Sequence, residues 1–294
     1  IFAKMINAEI GWLQNANDPP WTSTIPLTLN PEDFPGYMAP KEMQFRPQRS
    51  AKMLIEDSSI TFDELVNYKL STHIEFADRI LDDLFEAIDI YGSEKAKSAK
   101  TILQNWKRDS NADSKGMLLF YTWSNKFKIS DKSNYVTEWD INNPISTPDG
   151  LSNPKKAVQL FEDAIDEIQI KFGKLDVAWG DYYRINYNGI NLPANGIDGR
   201  LGVYRVTWPA KTDDKNMYVG GGDSWVSVIE FGDKIKAKAL LSYGNSTEKD
   251  SPNNGDQLKL YSKNILRDVW FYDEDINKNI QKIEYKSNNI FILK

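Results

Sequence analysis

Cysteine is absent from this 294-residue chain. Its absence removes disulfides, thiolate nucleophiles and cysteine-based zinc sites together. Histidine is nearly absent: the one residue, His73, rules out a multi-histidine metal centre and counts against a histidine-based triad. Ser224 and Ser246 therefore lack an evident base. No stretch reaches the ~18–20 uninterrupted apolar residues of a membrane-spanning helix, and no signal-peptide pattern opens the chain. An excess of positive charge is missing as well. With 36 Lys and Arg against 42 Asp and Glu, the net charge is −6. That balance argues against nucleic-acid binding, whose phosphate contacts need clustered Lys and Arg. Asp109, Asp113, Asp181 and Asp198 are scattered acids without EF-hand spacing. No cofactor is expected in this chain, and calcium is left open for the full protein.

What the chain does have is apolar content of 40% with 12% aromatics, enough for a real core in one large domain or two ordinary ones. Residues 1–45 read as an irregular segment punctuated by Pro19, Pro20, Pro26, Pro31, Pro35 and Pro40. Residues 46–175 read as a helical subdomain of five or six helices. Thr61-Phe62-Asp63-Glu64 is a capping-box sequence, and Thr72-His73-Ile74-Glu75 repeats it. Behind the second, Ile74, Ala77, Leu81, Leu84, Phe85 and Ile88 recur at helical spacing. Gly92 closes that helix and Ser93 opens the next; residues 114–127 form a buried helix; Asn153-Pro154 opens another that Gly173 closes. From 176 to 294 the period changes to two, giving an antiparallel β-rich segment with one late helix. Strands are expected at Gly202–Trp208 and, as a hairpin, across 224–243. Gly220-Gly221-Gly222-Asp223-Ser224 lacks a GK[ST] ending and reads as a strand-entry turn, not a phosphate cradle. Residues 256–267 read as the late helix, and 280–293 as edge strands. The fold class is α+β, a helical part followed by antiparallel strands.

The stretch that organises this reading is Gly11-Trp12-Leu13-Gln14-Asn15-Ala16-Asn17-Asp18-Pro19-Pro20-Trp21. Two prolines forbid a helix there and push their predecessors towards extended geometry. Asn15 and Asn17 carry carboxamides with two donors each. A stiff loop presenting such donors can stabilise an oxyanion; equally, the asparagines can bond to their own backbone in a turn. Trp12 and Trp21 can wall a substrate pocket or pack into the core.

The run from Trp12 to Trp21 resembles a motif of the penicillin acylase family, in the branch of acyl-homoserine lactone acylases and aculeacin A acylase. Arg46-Pro47-Gln48-Arg49-Ser50-Ala51-Lys52-Met53-Leu54 fits a second block. Trp179-Gly180-Asp181-Tyr182-Tyr183-Arg184, Leu192-Pro193-Ala194-Asn195-Gly196, Gly220–Trp225, Tyr243-Gly244-Asn245-Ser246 and Asp256–Tyr261 follow in family order. The resemblance implies the carboxyl-terminal part of an autoprocessed N-terminal-nucleophile hydrolase, completing the sheet of that fold. It implies hydrolysis of an amide of an N-acylated small molecule by an N-terminal serine lying in another acylase segment. Asn17 would donate to the oxyanion, Asn15 would brace the loop, and Arg49, with Arg46 as alternative, would orient the Asn loop. Two departures bear on this. Residue 1 is Ile rather than Ser, and Tyr182, Tyr183, Asn253 and Asn254 stand where the family often has histidine. The expected setting is a bacterial periplasm or secreted fraction, with a small acylated substrate and the remaining acylase segments as partners. Two rivals remain open: an aromatic-rich glycan-binding module, and an acylase homologue that has lost its chemistry.

Overall fold

The computed structural model describes residues 4–280. Helices dominate its first two thirds: α1 (Phe45–Ile55), α2 (Phe62–Lys69), α3 (Glu75–Tyr91), α4 (Glu94–Gln104) and α5 (Met117–Phe127). A two-stranded antiparallel ribbon, β1 (Tyr135–Thr137) and β2 (Asp149–Leu151), precedes α6 (Pro154–Phe172). Local chemistry sets most of these boundaries. At Thr61 the capping box forms: Glu64 N–H donates to Thr61 Oγ1 and Thr61 N–H donates to Glu64 Oε2 at 2.8 Å. The hydroxyl of Ser93 caps α4, the Asn153 carboxamide caps α6, and Gly173 ends α6 at φ 70°.

The helices meet over an aromatic core. Phe76 of α3 lies 5.7 Å from Phe120 and 6.1 Å, stacked, from Trp123, both on α5. Trp123 is fully buried, and its indole N–H donates to the carbonyl of Ala157 on α6. Such ring pairs add to the apolar area each side chain removes from water.

The remainder is strand and loop: a short α7 (Trp179–Tyr182), then β3 (Tyr183–Tyr187), β4 (Ile190–Pro193), β5 (Thr207–Thr212) and β6 (Met217–Gly222) in a sheet of order β4-β3-β6-β5. The β3–β6 pair is parallel and the others are antiparallel. A second sheet has the order β7 (Trp225–Glu230), β8 (Lys236–Leu241), β9 (Arg267–Asp268), all antiparallel. Helices α8 (Leu258–Ser262) and α9 (Asp273–Asn279) flank β9. The fold is α+β, and the 224–243 hairpin forms as the alternation predicts.

Four local expectations need correction. Thr72–Glu75 makes no capping box: α3 begins at Glu75 with Ile74 at its cap position, which leaves His73 outside the helix. Glu75 is fully buried and pairs with Lys52 and Arg79. Gly202–Trp208 is no strand over most of its length, because Gly202 turns the chain at φ 86° and β5 starts at Thr207 after a single bridge from Val206 to Ile197. Gly220–Gly222 lies within β6 rather than in a turn before it, since a Cβ at Gly220 would collide with the Ala210 side chain on β5. The late helix shrinks to Leu258–Ser262, and Arg267 pairs with β8 instead. The tail expected to supply edge strands lies, from residue 281 on, outside the described residues.

Candidate active site around Asn17

The loop from Gln14 to Ser23 has almost no regular structure beyond a single turn at Pro20–Thr22, yet side chains hold it closely. Asp18 is its centre: Oδ1 accepts from Ala16 N–H at 2.7 Å, and Oδ2 accepts from Gln14 Nε2 at 2.7 Å and from the Thr22 hydroxyl. Gln14 Nε2 also donates to Thr22 O at 2.9 Å, and Gln14 N–H donates to Ser23 O. Asn15 closes an Asx turn, its Oδ1 accepting from Asn17 N–H at 3.0 Å. Asn15 thereby braces the loop. Sequence reasoning passed over Asp18, although its place directly before Pro19-Pro20 was the available signal.

Asn17 is exposed and sits at φ 65°, a left-handed conformation that Asn tolerates better than most residues. Its Oδ1 accepts from Arg46 Nη1 at 2.9 Å, and the same nitrogen reaches Ala16 O at 3.3 Å. The arginine hydrogen-bonded to Asn17 is thus Arg46, at the start of α1, rather than the expected Arg49. The Arg49 Nε is buried without a hydrogen-bond partner among the described residues. One turn of helix separates the two, and the path of the loop across the start of α1 decides between them.

Asn17 and Arg46 line an open cleft of about 610 Å³ together with Gln44, Asp198, Arg200 and Trp208. The expected tryptophans do not wall it. Trp21 is 2% exposed, donates its indole N–H to Lys41 O and stacks at 6.1 Å on Phe34. Trp12 is half-buried and absent from the cleft lining. The aromatic that does face the cleft is Trp208, 55% exposed on β5. Asp198 holds Arg200 by a bidentate pair at 2.9 and 2.8 Å, and the hydrogen bond to Asp198 raises the Arg200 pKa. This pair places one fixed guanidinium on the cleft wall without adding net charge.

The other acids noted in the sequence do not assemble. Asp109 bonds to Asn111, and no group of three or more acidic or histidine side chains among the described residues is arranged to hold a metal ion. His73 pairs with Asp78, away from the residues that line the cleft. At two of the positions where the family often has histidine, burial pushes the Tyr182 phenol up to about 12 and the Tyr183 phenol higher still. In both, burial favours the neutral phenol.

The penicillin amidase family model matches residues 2–278. The chain belongs to the penicillin amidase family. Its relatives include the acyl-homoserine lactone acylase PvdQ of Pseudomonas fluorescens, 25% identical over 283 residues, covering 92% of this chain and 36% of that protein. The PvdQ of Pseudomonas savastanoi pv. phaseolicola is 29% identical over 150 residues, 49% of this chain and 19% of that one. This amidase-family chain therefore spans about a third of the length of the first of these relatives. Among solved structures, the thermostable penicillin G acylase from Alcaligenes faecalis superposes with a TM-score of 0.53 at 14% identity, covering 98% of this chain and 58% of that chain. At that identity the likeness speaks for the fold alone. No helix among the described residues is long and apolar enough to cross a membrane.

Proposed function

We propose that this chain is part of an amide hydrolase that cleaves the linear amide of an N-acylated small molecule, with Asn17 as a side-chain donor to the oxyanion. The observation that carries the reading is the Asn17–Arg46 hydrogen bond. It occupies the carboxamide oxygen, so Nδ2, with its two N–H groups, is the end left free in the cleft. A guanidinium behind the amide also polarises those donors and favours negative charge in front of them.

In this reading the nucleophile is an N-terminal serine freed by autoprocessing and contributed by another acylase segment. Its hydroxyl attacks the carbonyl carbon as the proton passes to its own α-amine, directly or through water. The resulting oxyanion accepts from one backbone N–H and from Asn17 Nδ2. Collapse expels the amine, and water then hydrolyses the acyl-enzyme. Residues 1–294 alone do not complete this site and do not turn over amides. Relatives named acyl-homoserine lactone acylase favour N-acyl-homoserine lactones over β-lactams and lipopeptides as the substrate. We place it, with the family expectation, in a bacterial periplasm or secreted fraction, which cell fractionation tests.

The test is amine release by the full-length protein from N-acyl-homoserine lactones and from penicillins. Asn17→Ala should lower kcat by about a hundred- to a thousandfold, or roughly 3–4 kcal/mol, the usual cost of one preorganised oxyanion donor. Full turnover in that variant, or none on any amide in the unaltered full-length protein, overturns the reading.

A further inference from the structure

We infer that Gly199 and Tyr204 are positioning residues for this reaction, acting on Asn17 through Arg46. The inference rests on Asn17 being the oxyanion donor. Arg46 has only Nη1 engaged with the loop, while its Nε is buried and has no hydrogen-bond partner among the described residues. One bonded nitrogen leaves a guanidinium free to pivot, so packing must fix its remaining directions. Two contacts supply that packing.

The first is Gly199. The turn Gly199–Leu201 is pinned by Asp198, whose carboxylate accepts from Arg200 N–H at 3.0 Å, and by Gly202 N–H donating to Gly199 O at 3.0 Å. A Cβ built on Gly199 would lie 2.8 Å from Arg46 Cδ and 3.5 Å from its Cβ. The missing methyl is the space that the arginine stem occupies. Because Gly199 is not left-handed, alanine is allowed by the backbone there, and it is the arginine that must give way.

The second contact is Tyr204. Arg46 Cζ lies 5.7 Å from its ring centroid, within reach of a cation–π attraction. The ring sits on a rigid backbone, since Val203 and Arg205 on either side are buried and Arg205 N–H donates to Ser71 O at 2.9 Å. The Arg205 guanidinium is tied in turn to Asn264 Oδ1 at 2.9 Å and Tyr261 O at 3.1 Å. Lys69 Nζ, itself paired with Asp223 at 3.0 Å, lies 5.1 Å from the same ring. The turn and the ring together fix where the guanidinium stands, and through it which way the Asn17 amide points.

The experiment compares Gly199→Ala, Tyr204→Leu, Tyr204→Phe and Asn17→Ala in the full-length protein, using fatty-acyl and phenylacetyl p-nitroanilides. Gly199→Ala and Tyr204→Leu should lower kcat by about ten- to a hundredfold with KM nearly unchanged, as displacement of a preorganised group by about an ångström does. Tyr204→Phe keeps the ring face and should retain turnover, which a merely structural need for the phenol would not allow. Crystal structures of Gly199→Ala and Tyr204→Leu should show the guanidinium off Asn17 Oδ1. If Tyr204→Leu does not fold, Gly199→Ala decides alone. Unchanged kcat in Gly199→Ala and Tyr204→Leu while Asn17→Ala loses turnover overturns the inference and leaves the reaction standing. If Asn17→Ala keeps turnover, the reaction assignment falls and takes the inference with it; if Asn17→Ala loses turnover, an Arg46 still bonded to Asn17 in both variant structures overturns the inference alone.

Discussion

The Asn17 loop and the core between α3, α5 and α6 are held together by opposite means. In the core, Phe76, Phe120 and Trp123 share broad apolar contact, and the loss of any one atom is spread over many neighbours. In the loop, order comes from points: one carboxylate, three carboxamides, one hydroxyl and one guanidinium, each bond made by a single atom pair. Area resists small errors of position, whereas points transmit them. On the proposed reading, a site that aims one amide gains direction from the second kind of construction and robustness from its footing on the first.

The contrast can be broken at either end. Trp123→Ala should have the largest effect, roughly 3–5 kcal/mol of stability from the cavity it leaves. The expected result in the full-length protein is a markedly lower thermal midpoint with kcat of the folded fraction nearly unchanged. A collapse of kcat without loss of stability would refute the division. Asp18→Ala comes next. It strands Ala16 N–H, at a cost of about 1–3 kcal/mol for a donor left buried, while Gln14 Nε2 keeps Thr22 O and the Thr22 hydroxyl keeps Pro19 O. Much of that should appear as loosening confined to residues 14–23, read as faster amide exchange there together with reduced turnover.

The smallest effect is an acid one. Burial alone would raise the Asp78 carboxyl, but its bonds and charge contacts with His73 and Arg108 outweigh this and hold it below the ordinary aspartate value. A depressed folded pKa contributes stability that is present above the unfolded value and lost as pH falls through the folded one. The thermal midpoint should therefore decline more steeply on acidification in the unaltered protein than in Asp78→Asn. Equal slopes would show that the pair contributes nothing.

Much of the helical half was legible because its boundaries are written in neighbouring residues: Thr61 with Glu64, Ser93, Asn153 with Pro154, Gly173. What escaped depends on residues far away in sequence. Glu75 looks like a capping partner of Thr72 until Lys52 and Arg79 draw it into the interior. The glycines at 220–222 look like a turn until Ala210 comes close across the sheet. The candidate site divides the same way. Asn17 was singled out only through the family resemblance of its loop, while the choice between Arg46 and Arg49 needed the path of a chain some thirty positions upstream. Trp21 resembles a pocket wall in one dimension and proves to be a strut between Phe34 and Lys41.

The bond from Arg46 settles which end of the Asn17 carboxamide is oxygen. Replacing that residue by its near-isosteric acid would keep the contact and strengthen it into an ion pair, while exchanging the outward-facing donor for a second acceptor. Deamidation at this one position would therefore yield a molecule that melts, sediments and scatters like the fresh one, yet, on the proposed reading, turns an acceptor towards the oxyanion. For such a protein, shelf life is a question for mass spectrometry rather than for calorimetry.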